Sequence, residues 1–318
     1  MDYFFIIAVA FIIVFLITPN IRYAALKFYV IDKVGHRKIH KKLVTKLGGL
    51  AIYLGFLGGI FTLVVFDLLF FKINFYPLTS LLIASSLMLI LGIYDDFQGS
   101  GAWIKFSIQV IVSLLVIKSG FILESVFIPG FIDLKLGIFS IPVTLFWLVG
   151  ITNAANLIDG LDGLAAGIIG IALSFIAIFG LILNDNFIIC IALALSAASL
   201  SFLKYNFFPA KIFMGDTGSL FLGLVIACLA IYRPSTHSGN PYFIPTVIVF
   251  FLPILDTALA MARRLLRKQN IFSGDSSHIH HYFLKRGFSQ AQTVMRFYLM
   301  TFVLGVMALF VLFMSIPR

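Results

Sequence analysis

Long apolar runs recur along the chain, each close to the roughly 20 residues that a helix needs to cross about 30 Å of hydrocarbon. Short polar breaks separate ten of them. They predict helices over 3–19, 48–71, 77–94, 103–118, 138–155, 163–183, 186–203, 217–232, 242–262 and 291–316. Residues 119–137, GFILESVFIPGFIDLKLGI, instead alternate apolar and polar positions around Pro129-Gly130, which predicts a short hairpin. The expected fold class is an all-α polytopic membrane protein of about ten transmembrane helices, forming one domain over 1–318.

Composition agrees. Of 318 residues 61% are hydrophobic and 11% charged, against roughly 25% charged in soluble domains. The only two cysteines, Cys190 and Cys228, fall inside apolar runs and suggest neither a disulfide framework nor a zinc site. The first twenty residues lack a basic n-region and a small-residue cleavage site, so they are expected to remain as the first span. The net charge of +10 does not point to nucleic acid, because the basic residues flank the spans.

Their distribution sets an orientation. Loops 20–47, 95–102, 156–162, 204–216 and 263–290 lie on one side and carry 16 of the 23 Lys and Arg. By the positive-inside rule that side is cytoplasmic, both termini point outward, and the 119–137 hairpin lies on the outer face.

The polar clusters that look chemical all fall on the predicted cytoplasmic side. Asp95-Asp96 ends the third span, and such neighbours persist most readily when a divalent cation or a shared proton offsets their repulsion. Lys105 opens the next span and can reach back to an anion. In NLIDGLDG, Asn156, Asp159 and Asp162 sit three residues apart, a spacing that shares one helix face. Gly160 and Gly163 leave room for a ligand. Asp216 lies in a Gly-Asp-x-Gly-Ser turn at the start of a helix, where free N–H groups suit phosphate; the simpler reading is that Asp216 or Ser219 caps that helix. His278, His280 and His281 crowd one loop, where they can bind phosphate, sugar or metal, although no cysteine or acid stands at zinc-site spacing. His36, His40 and His237 stand alone. The basic segment GHRKIHKKLVTKLGG suits anionic headgroups or a lipid-borne phosphate. Asp256, in PILDTALAMARR, falls inside the ninth predicted span and stays unassigned. Carboxylate-rich sites suit Mg²⁺ or Mn²⁺, which bridge phosphates. The residues therefore point to metal-assisted phosphoryl chemistry at the cytoplasmic surface, without naming a substrate.

In order, GIYDDF, NAANLIDGLDGL, NFFPAKIFMGDTGSLFLG, PILDT and HIHH resemble the polyprenyl-phosphate N-acetylhexosamine-1-phosphate transferase family, which includes the phospho-MurNAc-pentapeptide transferases. The resemblance runs from about residue 36 to 287. It implies transfer of a sugar-1-phosphate from a cytoplasmic UDP-N-acetylhexosamine, such as UDP-GlcNAc, to undecaprenyl or another polyprenyl phosphate, with release of UMP. It implies Mg²⁺, with Mn²⁺ as an alternative, and a bacterial inner-membrane location. It also leaves room for a homodimer and for a downstream O-antigen, teichoic acid or other glycan.

The same resemblance implies roles at matching positions. Asp216 ligates the metal. Asp95, with Asp96 beside it, deprotonates or orients the lipid phosphate. Asn156, Asp159, Asp162 and Asn206 line the nucleotide-sugar and metal site. Lys42 and Lys105 meet phosphates, and His278, His280 and His281 contact the sugar-phosphate. Three features depart from the family. The loop before Gly48-Gly49 lacks its usual prolines, so Lys41 or Lys46 can replace Lys42. Ser276-Ser277 stand where a basic residue is usual, and Tyr282 stands where many relatives have Arg. HIHH in place of three consecutive histidines favours the simple-sugar branch over the pentapeptide branch. A cation-coupled transporter is the competing class, but it calls for polar groups near the midplane and on both faces.

Overall fold

The structure, a computed structural model, describes residues 2–32, 44–67, 75–128, 132–233, 240–268 and 278–315. Helices dominate them, as hydrocarbon demands of a chain whose backbone groups must bond within their own segment. The helices are α1 (Asp2–Lys27), α2 (Gly48–Asp67), α3 (Phe75–Gln98), α4 (Ala102–Lys118), α5 (Ser140–Leu157), α6 (Leu164–Leu183), α7 (Asn186–Asn206), α8 (Gly215–Ile231), α9 (Phe243–Val249), α10 (Phe251–Leu266), α11 (Ile279–Lys285) and α12 (Gln290–Ser315). Two small antiparallel pairs join them: β1 (Ile31–Asp32) with β2 (Val44–Thr45), and β3 (Ser125–Ile128) with β4 (Ile132–Lys135). The β3–β4 pair, in register Ser125↔Lys135, is the expected hairpin.

Each of the ten predicted spans overlaps a helix, but ten is too many by length and hydropathy. Among the described residues seven helices are long and apolar enough to cross a membrane, or eight with the bent pair α9–α10 taken as one span. Helices α4 and α8 have 17 residues each, about 26 Å at helical rise. The ninth predicted span bends by 74° between α9 and α10. Pro253 has no N–H to give the Val249 carbonyl, so a helical hydrogen bond is missing where the bend falls.

Helix α8 is the central post, with every residue from Thr217 to Ile231 buried. Helices α6 and α7 are the most buried spans, whereas α1 and α12 turn most of their apolar surface outward. Helices α3, α5 and α2 pack along α8. Alternation of direction then brings the end of α3, the start of α4, the end of α5 and the start of α8 to one end of the bundle.

Candidate active site

At that end the acids meet. Asp95, Asp96 and Asp216 each offer a carboxylate oxygen, and these oxygens lie within 4.8 Å of one another. Such proximity is costly unless cations answer it. Lys105 does so, its Nζ standing 2.8 Å from Asp95 and 2.5 Å from Asp216. The other Asp216 oxygen accepts from Asn156 Nδ2 at 2.9 Å, and the same amide donates to Ser219 Oγ at 2.8 Å. The second oxygen of Asp95 accepts from the Ser100 backbone and hydroxyl at 2.7 and 2.6 Å. Hard oxygen donors at this spacing fit Mg²⁺.

Asp96 does a different job from Asp95. Its side chain is fully buried and one oxygen accepts from Thr217 N and Oγ1 at 3.0 and 2.7 Å, the other from Asp216 N at 3.3 Å. It therefore caps α8 from a neighbouring helix. The expectation that Asp216 or Ser219 caps α8 is corrected: Asp216 turns its carboxylate to Lys105 and Asn156, and Ser219 accepts from Asn156. Lys46 Nζ lies 3.6 Å from both Asp96 and Asp32. Burial pulls its pKa down, but the charges of Asp96, Asp32, Asp216 and Asp95 outweigh burial and hold it above the ordinary lysine value. Lys42 lies outside the described residues; Lys46 is the described lysine of that segment, and it reaches the acids.

Glycines hold the α8 turn against its neighbours. Gly48 and Gly49 donate to the Phe213 and Met214 carbonyls at 2.9 Å each. A Cβ on Gly92 would stand 2.5 Å from Asp216 C and Thr217 Cα. Gly215 has φ +71°, a left-handed conformation that favours glycine, and Asp96 fills the space its side chain would need.

The NLIDGLDG segment corrects a second expectation. Helix α5 ends at Leu157, and residues 158–163 form an irregular turn, so Asp159 and Asp162 share no helix face. Asp162 accepts from Ala210 N at 2.9 Å. Asn206 is buried; it accepts from Gly163 N at 3.1 Å and donates to Ile212 O at 3.0 Å. These two residues fasten the 158–163 turn to the 207–214 loop. Asp159 is half-buried and feels the acids. Burial and the charges of Asp216, Asp96 and Asp162 push its pKa up to about 8.

The histidine motif approaches the same turn. His278 Nδ1 lies 2.8 Å from Asp256 Oδ2, while Asp256 Oδ1 accepts from Ile279 N at 2.8 Å. The His278 and His280 rings are parallel with centroids 5.5 Å apart, and His280 and His281 stand 4.4 Å apart. A Cβ on Gly160 would come within 2.7 Å of His280 Nε2. His280 is buried, and burial together with the neighbouring histidines pushes its pKa down to about 3. Arg286 stacks on the Tyr282 ring at 4.4 Å.

Sequence reasoning missed Ser100, Thr217, Gly92 and the partner of Asp256. The Gly-Ser-Gly turn four to six residues after Asp95 was a usable signal for Ser100. The others depend on contacts between distant segments.

A multi-span helical body with an acid-and-lysine site at one end of the bundle defines the class, an all-α polytopic membrane protein. The profile of glycosyl transferase family 4 matches residues 78–233. The chain is 38% identical over 311 residues to the probable undecaprenyl-phosphate N-acetylglucosaminyl 1-phosphate transferase of Bacillus subtilis, covering 95% of this chain and 84% of that protein. It is 32% identical over 312 residues to the decaprenyl-phosphate N-acetylglucosaminephosphotransferase of Mycobacterium tuberculosis, covering 91% and 77%. It is also 36% identical over 201 residues, 60% of each chain, to the phospho-N-acetylmuramoyl-pentapeptide-transferase of Clostridium perfringens. The chain belongs to glycosyl transferase family 4.

Proposed function

We propose that the protein transfers N-acetylhexosamine-1-phosphate from a UDP-sugar to a polyprenyl phosphate and releases UMP. N-acetylglucosamine is the sugar we favour, because the relatives named for it align over nearly the whole chain whereas the pentapeptide transferase aligns over 60%. The observation that carries the reading is the cluster of Asp95, Asp96 and Asp216 at the start of α8, with Lys105 bridging Asp95 and Asp216. The site faces the cytoplasm in this reading, since 16 of the 23 Lys and Arg lie in the loops assigned to its side.

In the reaction a lipid phosphate oxygen bonds to the sugar-side phosphorus of the donor. The bridging P–O bond breaks and its electron pair leaves with UMP. Such transfer needs alignment and charge neutralisation more than covalent help. Mg²⁺ held by Asp216 and Asp95 would supply the positive charge that the pyrophosphate needs. Lys105 spans the same two acids and can follow a phosphate oxygen while staying in the cluster. Asp95, braced by Ser100, orients the incoming lipid phosphate. Asp96 keeps α8 in place so that Asp216 and Asn156 stay aligned. Asp159 and the histidines bound the donor side.

The test is UMP release by purified protein with undecaprenyl phosphate, Mg²⁺ and a panel of UDP-N-acetylhexosamines. UMP that needs lipid and metal and disappears in Asp216→Asn supports the reading. Turnover without either one overturns it.

A further inference from the structure

Asp256 is a buried acid that the proposed mechanism does not use. It lies on α10, six residues past the bend, with 1% of its surface exposed. A buried carboxylate is expensive unless its oxygens are bonded, and both are: one to the His278 ring and one to the first amide of α11. His278 is the residue before α11, and its own side chain makes no capping bond. Asp256 thus caps α11 from another helix, as Asp96 caps α8.

The bond to the ring has a chemical consequence. A carboxylate only accepts, so the proton at this contact belongs to His278 Nδ1. That fixes the neutral tautomer and leaves Nε2 as the nitrogen available to a ligand. The parallel stacking of His278 on His280, and the packing of His280 against Gly160, carry this fixed ring orientation to the NLIDGLDG turn.

We infer that Asp256 is a positioning residue for the UDP-sugar, acting through His278: it sets what Nε2 offers to the donor and where the ring lies. The inference rests on the transferase reading above, in which the histidines contact the donor. It separates the two substrates, because Asp256 bonds to His278 and Ile279 and not to Asp95, the residue that orients the lipid phosphate in that reading. An asparagine at 256 can keep the bond to Ile279 N while turning its NH₂ to His278. The ring then accepts at Nδ1 and carries its proton on Nε2.

The experiment measures KM for donor and lipid separately in detergent, with ¹⁵N spectra of the histidine rings and His278→Gln to assign the signal. The wild type is expected to carry its proton on His278 Nδ1, and Asp256→Asn to shift it to Nε2. The donor KM should rise about tenfold, the scale of one charged hydrogen bond, with the lipid KM within about twofold. Asp256→Glu should recover most of the loss. Asp256→Asn combined with His278→Gln should be no worse than His278→Gln alone, since the two act as one unit. Equal shifts in both KM values, an unchanged tautomer, or losses that multiply in the double variant would each overturn the inference. If Asp256→Asn does not fold, a wild-type ring protonated only at Nε2 overturns it as well. Silence of the wild-type protein towards every UDP-sugar sinks the transferase reading instead, while the ring spectra still report on the Asp256–His278 contact.

Discussion

Gly92→Ala probes the packing on which the site depends. The added Cβ would stand 2.5 Å from Asp216 C and Thr217 Cα, where ordinary contact begins at 3.4 Å. These are backbone atoms at the start of a buried helix, so α3 and α8 must part by about 1 Å. Overpacking of this kind costs about 1–3 kcal/mol. Gly92 and Asp96 lie four residues apart on one face of α3, so the same displacement draws Asp96 away from Thr217, whose bonds to it are 3.0 and 2.7 Å. Asp216 then loses its register with Lys105 and Asn156. A misplacement near 1 Å can cost about 100-fold in rate, and that is the expected fall in kcat. UMP release and thermal melting are measured together. Gly150→Ala is the control, because nothing lies within 4 Å of a Cβ there, and its rate should match the wild type. A Gly92→Ala protein with wild-type rate and melting temperature would refute the packing account.

Lys105→Met leaves Asp95 and Asp216 without the cation between them. Turnover should drop by about 100-fold or more, and Mg²⁺ should raise the melting temperature more in the variant than in the wild type; equal Mg²⁺ shifts would contradict this. His280 takes a proton near 3 in the fold and at its ordinary value of 6.5 when unfolded. The unfolded chain therefore binds more protons between those values, and stability should fall as pH drops through that window, by at most about 1.4 kcal/mol per pH unit. His280→Phe should flatten the slope between pH 5 and 7, and a slope parallel to the wild type argues against a buried neutral ring. Asp159 has the opposite sign. Its pKa rises from 3.8 to about 8, so the fold holds the extra proton and stability declines as pH climbs across that interval. Asp159→Asn, melted without divalent cations, should lose the decline; an unchanged one means Asp159 does not feel the acids.

Local signals carried much of this architecture. Apolar run length located a helix under each predicted span, and Pro129-Gly130 marked the hairpin. Asp95, Asp216, Lys105 and Asn156, singled out as polar breaks on one side, do meet. What stayed hidden depends on tertiary context. Asp95-Asp96 read as one pair, yet Asp95 faces Lys105 and Asp96 faces the α8 amides, a division that only the approach of α8 at Gly92 creates. The three-residue spacing of Asp159 and Asp162 suggested a shared face, but the helix stops first and Ala210 claims Asp162. Pro253 was present in the sequence, yet uniform apolarity on both sides concealed the 74° bend. Asp256 stayed unassigned because its partners lie 22 and 23 residues away.

The central claim is that the sugar-side phosphorus is the atom transferred. A UDP-N-acetylglucosamine labelled with ³²P at that phosphate, incubated with the protein, Mg²⁺ and undecaprenyl phosphate, tests it most directly. The label should move into the lipid fraction while the released nucleotide is unlabelled UMP. Label that remains in the aqueous phase as UDP, with the sugar alone on the lipid, would contradict it.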